Sequence, residues 1–317
     1  MLLGQLEDKP VYRKFLILVS LILFSTLFFS ILGGLLTDAL YGVNIFSDPG
    51  ALNDLENPSV LAAMKLLQLL TSGLGMFILP ALLAGILFDR KPATYLGLTQ
   101  KPETTDLLLT IVLMFAAVPI INALLVMNQG MQLPEFMSGI EAWIKEKEES
   151  AAVITEAFLK MDSTSDLLTN LFIIAVIPAI GEELLFRGVI QRLFTEMSRK
   201  PVMAILLSAV LFSALHMQFY GFLPRMLLGV LFGFLYLWSG SLWLPVLGHL
   251  INNGAAVYFA YLNKDHSLPF DEDTVGTMPG EWPYLIVSVI IVTLILIRLY
   301  RNRKPVTDDG LPAEGEQ

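Results

Sequence analysis

Residues 177–191 read IPAIGEELLFRGVIQ, which places three ionisable side chains, Glu182, Glu183 and Arg187, in a strongly apolar region. An ionised side chain at the centre of a bilayer costs roughly 2.5 kcal/mol or more on insertion scales. Residues four apart share one face of a helix, so Glu183 and Arg187 are expected to form an ion pair. Glu182 points about 100° away from Glu183 around the helix. The stretch therefore predicts one paired and one unpaired carboxylate.

The apolar character of this stretch extends over most of the chain. Of the 317 residues, 55% are hydrophobic and 15% are charged, whereas a soluble domain has about 25% charged residues. A helix needs about 20 apolar residues to span a bilayer. Eight runs reach or approach this length: 15–36, 60–88, 107–127, 171–194, 202–217, 222–238, 242–262 and 282–297. The sequence predicts an all-α, polytopic transmembrane helix bundle of about eight spans with a polar cavity in its C-terminal half.

Lysine and arginine residues predict the orientation of these spans, because short cytoplasmic loops are enriched in them. They cluster before the first span, in the second loop, after the fourth span and after the last span: Lys9, Arg13, Lys14, Arg90, Lys91, Lys101, Arg192, Arg199, Lys200, Arg298, Arg301, Arg303 and Lys304. Loop 37–59 contains neither residue type. This bias predicts an integral protein of the plasma (inner) membrane with both termini in the cytoplasm.

Composition also excludes several classes of function. The chain has no cysteine, which excludes disulfides, thiol catalysis and cysteine-ligated metals. Its net charge of −9 is opposite to that of a nucleic-acid-binding surface. The expected surroundings are therefore the lipid bilayer and a membrane-associated partner, with no nucleic acid.

The spans and loops predict six consecutive segments. They are a cytoplasmic tail (1–14), three N-terminal transmembrane helices (15–127), an acidic extramembrane loop with an amphipathic helix (128–166), a four-helix core (167–262), a loop with the last transmembrane helix (263–300) and a disordered tail (301–317). The acidic loop holds eight acidic residues and three lysines. Its helix is expected to lie either solvated along the outer membrane surface or as a lid over an entrance to the core.

The core contains further polar residues inside apolar runs. His216 follows Phe212 by four residues, and His249 precedes Asn253 by four, so each pair shares a helix face. A carboxylate and a histidine can hold a water molecule and take its proton. An imidazole and an amide N–H can donate to the oxyanion that develops on an attacked carbonyl. With the unpaired Glu182, these groups predict hydrolysis of an amide by an activated water.

Two other chemistries use the same residues. Zinc is the metal alternative, with Glu182, His216 and His249 as its ligands and an open position for water; the His-Glu-x-x-His signature is absent from the sequence. A proton-coupled transporter would use buried glutamate and histidine as a proton relay, although no inverted repeat is visible. Arg225 lies near the end of a span and is expected to extend to lipid headgroups.

Three motifs carry a resemblance to a known family. Glu-Glu-x-x-x-Arg begins at Glu182, Phe-x-x-x-His at Phe212 and His-x-x-x-Asn at His249. In this order on successive hydrophobic helices, they resemble the motifs of the CAAX prenyl protease and bacteriocin-processing (CPBP, Abi) family. The resemblance implies an intramembrane endopeptidase that cleaves a membrane-associated protein or peptide. A catalytically silent scaffold or an immunity protein would keep the same cavity without cleavage.

The resemblance also implies a role for each motif residue. Glu182 would be the general base and would work with His216 on the water, while His249 and Asn253 would form the oxyanion site. The supporting residues would be Glu183, Arg187 and Phe212. The family has been described both as metalloproteases and as metal-free glutamate proteases. The metal-free form is favoured here, so that no cofactor is required, and zinc is kept as the alternative.

Overall fold

The computed structural model describes residues 3–48, 50–265 and 274–305, and within these ranges the chain is helical with no strand. We label its main helices in chain order: α1 (Val11–Tyr41), α2 (Pro58–Phe88), α3 (Thr104–Gln129), α4 (Ser138–Leu159), α5 (164–198), α6 (Pro201–Leu215), α7 (Phe219–Ser239), α8 (Trp243–Leu262) and α9 (Trp282–Arg301). The prediction of an all-α, polytopic membrane bundle is confirmed.

Five of these helices are long and apolar enough to cross a membrane, namely α1, α2, α3, α7 and α9. Helix α6 is equally apolar in character but has only 15 residues. Helices α5 and α8 are not among the five, and they carry the glutamates of the first motif and the His249 and Asn253 pair. The candidate polar residues on α5 and α8 thus lie outside the five candidate spans, and the count of about eight spans stays a prediction.

Local chemistry explains where several helices begin and end. Asn57 accepts a hydrogen bond from the backbone N–H of Ser59 and precedes Pro58, the first residue of α2. Ser163 and Asp166 form a reciprocal capping box at the start of α5. Helix α5 therefore begins seven residues before the predicted run 171–194, and it continues beyond Arg187 to Ser198.

Helix α5 forms the centre of the molecule, and every residue from Gly181 to Gln191 is buried. It contains two wider, π-helical turns, Leu171–Val176 and Leu184–Ile190, on either side of the regular stretch Ile177–Glu183. Gly181 lets α2 approach closely, because a Cβ at this position would lie 3.0 Å from Cγ1 of Ile78. The two carboxylates of the motif are therefore held on an element with neighbours on all sides.

The acidic loop contains helix α4, whose two ends have different surroundings, and its position on the membrane surface or as a lid stays a prediction. The N-terminal part of α4 is largely exposed, whereas Phe158 near its end is 5% exposed. The side-chain amide of Asn170 on α5 donates to the carbonyl of Phe158, and Nζ of Lys65 on α2 lies 5.7 Å from the Phe158 ring centroid. The end of α4 is thus packed between α2 and α5. The tail predicted to be disordered lies outside the described residues from position 306 onward.

Candidate active site

Glu183 joins the first and third motifs through a single carboxylate oxygen. Its Oε1 atom accepts hydrogen bonds from Nη1 of Arg187 and from Nδ1 of His249, each at 2.8 Å. The three side chains are 0%, 1% and 4% exposed. An ionised carboxylate only accepts hydrogen bonds, so Nδ1 of His249 carries hydrogen. The bond thereby fixes the orientation of the imidazole and turns its Nε2 atom away from Glu183.

Glu182 is not part of this ion pair. Its Oε2 atom is buried and has no hydrogen-bond partner among the residues that the structure describes. The nearest ionisable nitrogen is Nε2 of His249 at 3.9 Å, which is longer than a hydrogen bond. Arg187 donates instead to Glu183 and to the carbonyl of Gly229, 3.0 Å from Nη2. The two adjacent glutamates therefore have different surroundings, as their positions around the helix predict.

His216 lies at the C-terminal end of α6 with one ring nitrogen engaged. Its Nδ1 atom is 2.8 Å from the carbonyl oxygen of Phe212. A carbonyl only accepts, so Nδ1 carries the hydrogen and Nε2 of the neutral ring is an acceptor. The Phe212 ring lies between the two imidazoles, with centroid distances of 4.9 Å to His216 and 6.1 Å to His249.

Asn253 has a structural contact that its spacing from His249 does not predict. Its Nδ2 atom donates to the carbonyl of Ile174 on α5 at 3.0 Å. In a regular helix this carbonyl would accept from the residue four positions later, which is Pro178 and has no N–H. This bond ties α8 to α5 at a carbonyl that lies in the π-helical turn Leu171–Val176. A carboxamide has two N–H hydrogens, so the second remains for a group in the neighbouring cavity.

One cavity of about 440 Å³ brings the predicted residues together. Its polar lining consists of Gln68, Thr155, Glu182, His216, Arg225, His249, Asn252 and Asn253. Its apolar wall includes residues from α4, namely Ile154, Phe158 and Leu159, together with Phe212, Leu228 and Phe232. Glu183 and Arg187 lie behind this lining and do not border the cavity. A space of this size admits several residues of a peptide.

Four polar residues of the cavity are absent from the motif-based set, namely Gln68, Thr155, Arg225 and Asn252. Asn252 donates to Oδ1 of its neighbour Asn253 at 3.2 Å. Arg225 was expected to extend to lipid headgroups, and this prediction is wrong: its guanidinium folds back to Gln218 and borders the cavity. The sequence does place Arg225 only nine residues after His216, but the direction of its side chain depends on the intervening turn.

The same geometry bears on the zinc alternative. Within residues 3–48, 50–265 and 274–305, no group of three or more His, Cys, Asp or Glu side chains is arranged to hold a metal ion. Glu182, His216 and His249 border the same cavity, but they do not form such a group. Zinc ligation by these residues therefore stays a prediction, and treatment with a chelator is the direct test.

Comparisons with known proteins find similarity in the part of the chain that carries the three motifs. Residues 164–255 match the family described as type II CAAX prenyl endopeptidase, Rce1-like. The curated protein "Membrane-embedded CAAX protease MroQ" of Staphylococcus aureus (strain USA300) is 31% identical over 101 residues, which are 30% of this chain and 40% of that protein. The match thus spans less than half of the curated relative. No solved structure matches the chain. All three motifs lie inside the matched region.

Proposed function

The comparisons support the assignment of this chain to the CAAX protease family, and on that premise we propose that it is an intramembrane endopeptidase acting on a membrane-associated protein or peptide. One observation carries the proposal. Glu182 borders a cavity with His216 and His249, whereas its neighbour Glu183 is engaged by Arg187. A buried carboxylate oxygen with no partner in the described part of the chain is suited to a water or substrate proton.

The proposed reaction begins with a water between Glu182 and His216. Glu182 takes one proton while Nε2 of His216 accepts the other O–H of the water in a hydrogen bond and orients it. The water oxygen bonds to the carbonyl carbon of the peptide, and the carbonyl oxygen becomes an oxyanion. Glu182 then returns its proton to the leaving nitrogen as the C–N bond breaks. No covalent intermediate with the protein is formed.

The oxyanion is assigned to His249 and Asn253. Asn253 has one amide hydrogen left after its bond to Ile174. Donation from Nε2 of His249 requires hydrogen on both ring nitrogens, because Nδ1 already donates to Glu183. Glu183 and Arg187 are positioning residues in this scheme, since they hold His249 without bordering the cavity. Phe212 packs beside both imidazoles and restricts their orientation.

Cleavage of a lipid-anchored peptide by the purified full-length protein tests the proposal. We expect Glu182→Gln and His216→Ala each to lower kcat by about 100-fold or more, the contribution typical of general acid–base catalysis. Glu156→Gln on the exposed side of α4 is the matched control and should cleave as the wild type does. Wild-type rates in both site variants would show that the site is wrongly assigned. Loss of activity with a chelator and recovery with zinc would favour the metal-dependent form.

A further inference from the structure

Arg225 places a positive charge in the cavity wall, where Glu148 and Glu182 act on it through space but no described carboxylate touches it. Its Nη2 and Nη1 atoms donate to Oε1 and the backbone carbonyl of Gln218, at 2.6 and 3.1 Å. Both acceptors are neutral. Among the described residues, no carboxylate oxygen lies within ion-pair distance of this guanidinium. Its charge is therefore oriented by the protein but not neutralised by a direct contact.

The local backbone holds this arginine in place. Met217, between His216 and Gln218, has a φ of 55°, a left-handed conformation that costs a non-glycine residue roughly 1–2 kcal/mol. Such strain is concentrated at functional sites. Gly221 leaves room for the guanidinium, because a Cβ there would lie 2.7 Å from Nη2 of Arg225. The turn that ends α6 thus positions His216 and the acceptor of Arg225 together.

We propose that Arg225 binds a carboxylate group of the peptide substrate, within about three residues of the cleaved bond. This inference rests on the proposed endopeptidase function and adds a specificity-determining residue to it. The planar guanidinium of Arg225 presents paired N–H donors that match a carboxylate in two parallel hydrogen bonds.

The size of the cavity sets the distance between this carboxylate and the cleaved bond. A cavity of about 440 Å³ is about 9 Å across if it is roughly spherical, and an extended peptide advances roughly 3.3–3.6 Å per residue. Glu182 and Arg225 border this same space. A carbonyl beside Glu182 and a carboxylate beside Arg225 therefore belong to nearby residues of one peptide. The carboxylate is either that of an acidic side chain or that of the chain terminus.

The test compares four palmitoylated peptides that differ only near the cleaved bond. They carry a glutamate or a glutamine on the C-terminal side of the bond, and end in a free acid or an amide. We expect Arg225→Gln to lower kcat/KM by about 10- to 100-fold on the acidic peptides, mainly through KM, as for the loss of a hydrogen bond to a charged group. Cleavage of the doubly neutral peptide should fall by much less, so that the ratio of acidic to neutral cleavage decreases.

Two further variants separate recognition from folding. Arg225→Lys keeps the charge and should retain part of the preference, whereas Gly221→Ala keeps Arg225 but displaces its guanidinium and should weaken the preference. If Arg225→Gln affects only the comparison of free acid with amide, Arg225 binds the C-terminal carboxylate of the peptide. If it affects only the comparison of glutamate with glutamine, Arg225 binds the acidic side chain. An equal loss on acidic and neutral peptides would overturn the proposal.

Peptide binding, measured without cleavage, tests the role of Arg225 independently of the proposed reaction. The dissociation constants of the same fluorescent peptides are measured on Glu182→Gln protein with and without Arg225→Gln. Tighter binding of the acidic peptides that depends on Arg225 would support the proposal even if the wild type cleaves none of them. Equal dissociation constants for acidic and neutral peptides would contradict it.

Discussion

At the scale of single residues, Glu183 accepts hydrogen bonds from two neighbouring side chains at once. Its Oε1 atom neutralises Arg187 and orients His249, with both distances 2.8 Å. Removing one partner of a buried ion pair costs about 3–5 kcal/mol because the other charge is left uncompensated, whereas replacing both by apolar groups of similar volume is often neutral. The contribution of Glu183 to folding stability can therefore be measured separately from its effect on the orientation of His249.

A pair of variants makes this separation. We expect Glu183→Leu to lower the free energy of unfolding by about 3 kcal/mol or more, since Arg187 becomes a buried, unpaired cation. Adding Arg187→Met should recover most of that stability. Cleavage should stay low in the double variant, because Nδ1 of His249 has lost its acceptor. Unfolding in detergent and peptide cleavage measure the two effects, and cleavage that recovers together with stability would restrict Glu183 to the ion pair.

At the scale of elements, the irregular geometry of α5 explains how two helices join at the site. Wider turns precede and follow the stretch Ile177–Glu183, and π-helical turns occur frequently at functional sites. Pro178 has no N–H to donate to the preceding turn of α5, and Nδ2 of Asn253 on α8 donates to the carbonyl of Ile174 in that turn. A residue assigned to the oxyanion thus also bonds the backbone of the helix that carries Glu182, and we expect it to stand in for the donor that Pro178 lacks.

A double-mutant cycle tests this replacement. Asn253→Ala should destabilise the wild type by about 1 kcal/mol, the net value of one hydrogen bond. In a Pro178→Ala background, the new N–H can serve the carbonyl of Ile174, so the same substitution should cost less. Unfolding free energies of the four proteins give the coupling. Asn128→Ala is the control, because Oδ1 of the buried Asn128 on α3 accepts from the backbone N–H of Leu223 on α7 and its cost should not depend on position 178.

Two outcomes of this cycle separate packing from chemistry. An equal cost of Asn253→Ala in both backgrounds would show that Asn253 does not replace the missing donor. If Asn253 also binds the oxyanion, Pro178→Ala should restore stability to the Asn253→Ala protein without restoring cleavage.

Sequence spacing predicted the contacts that form within one helix, and it missed those that depend on a turn or on a distant element. The i, i+4 rule gave the pair of Glu183 with Arg187 and placed Phe212 beside His216. Periodicity does not indicate which carbonyl of α5 faces α8, so the bond from Asn253 to Ile174 was not predicted. The direction of Arg225 depends on the left-handed Met217, a conformation for which methionine gives no sequence signal.

At the scale of the whole molecule, the cavity is closed by an element outside the matched region. Residues of α4 form part of its wall, and Oε1 of Glu148 on this helix accepts from the backbone N–H of Tyr220 at the start of α7, at 2.7 Å. The family match begins only at residue 164. Because α4 forms part of the cavity wall, we expect a substrate to reach Glu182 from the side of the membrane on which α4 lies.

The absence of cysteine from the chain allows this side to be measured with single introduced thiols. The distribution of lysine and arginine predicts an outer position for the loop after α1 and for α4. In intact cells, a membrane-impermeant maleimide should label Ser47→Cys and Glu146→Cys, and should label Asp8→Cys and Lys200→Cys only after permeabilisation. All four positions are exposed, so labelling reports the side of the membrane. Protection of Glu146→Cys in intact cells, with Ser47→Cys labelled, would place α4 and the cavity entrance on the cytoplasmic side and contradict the predicted order of spans.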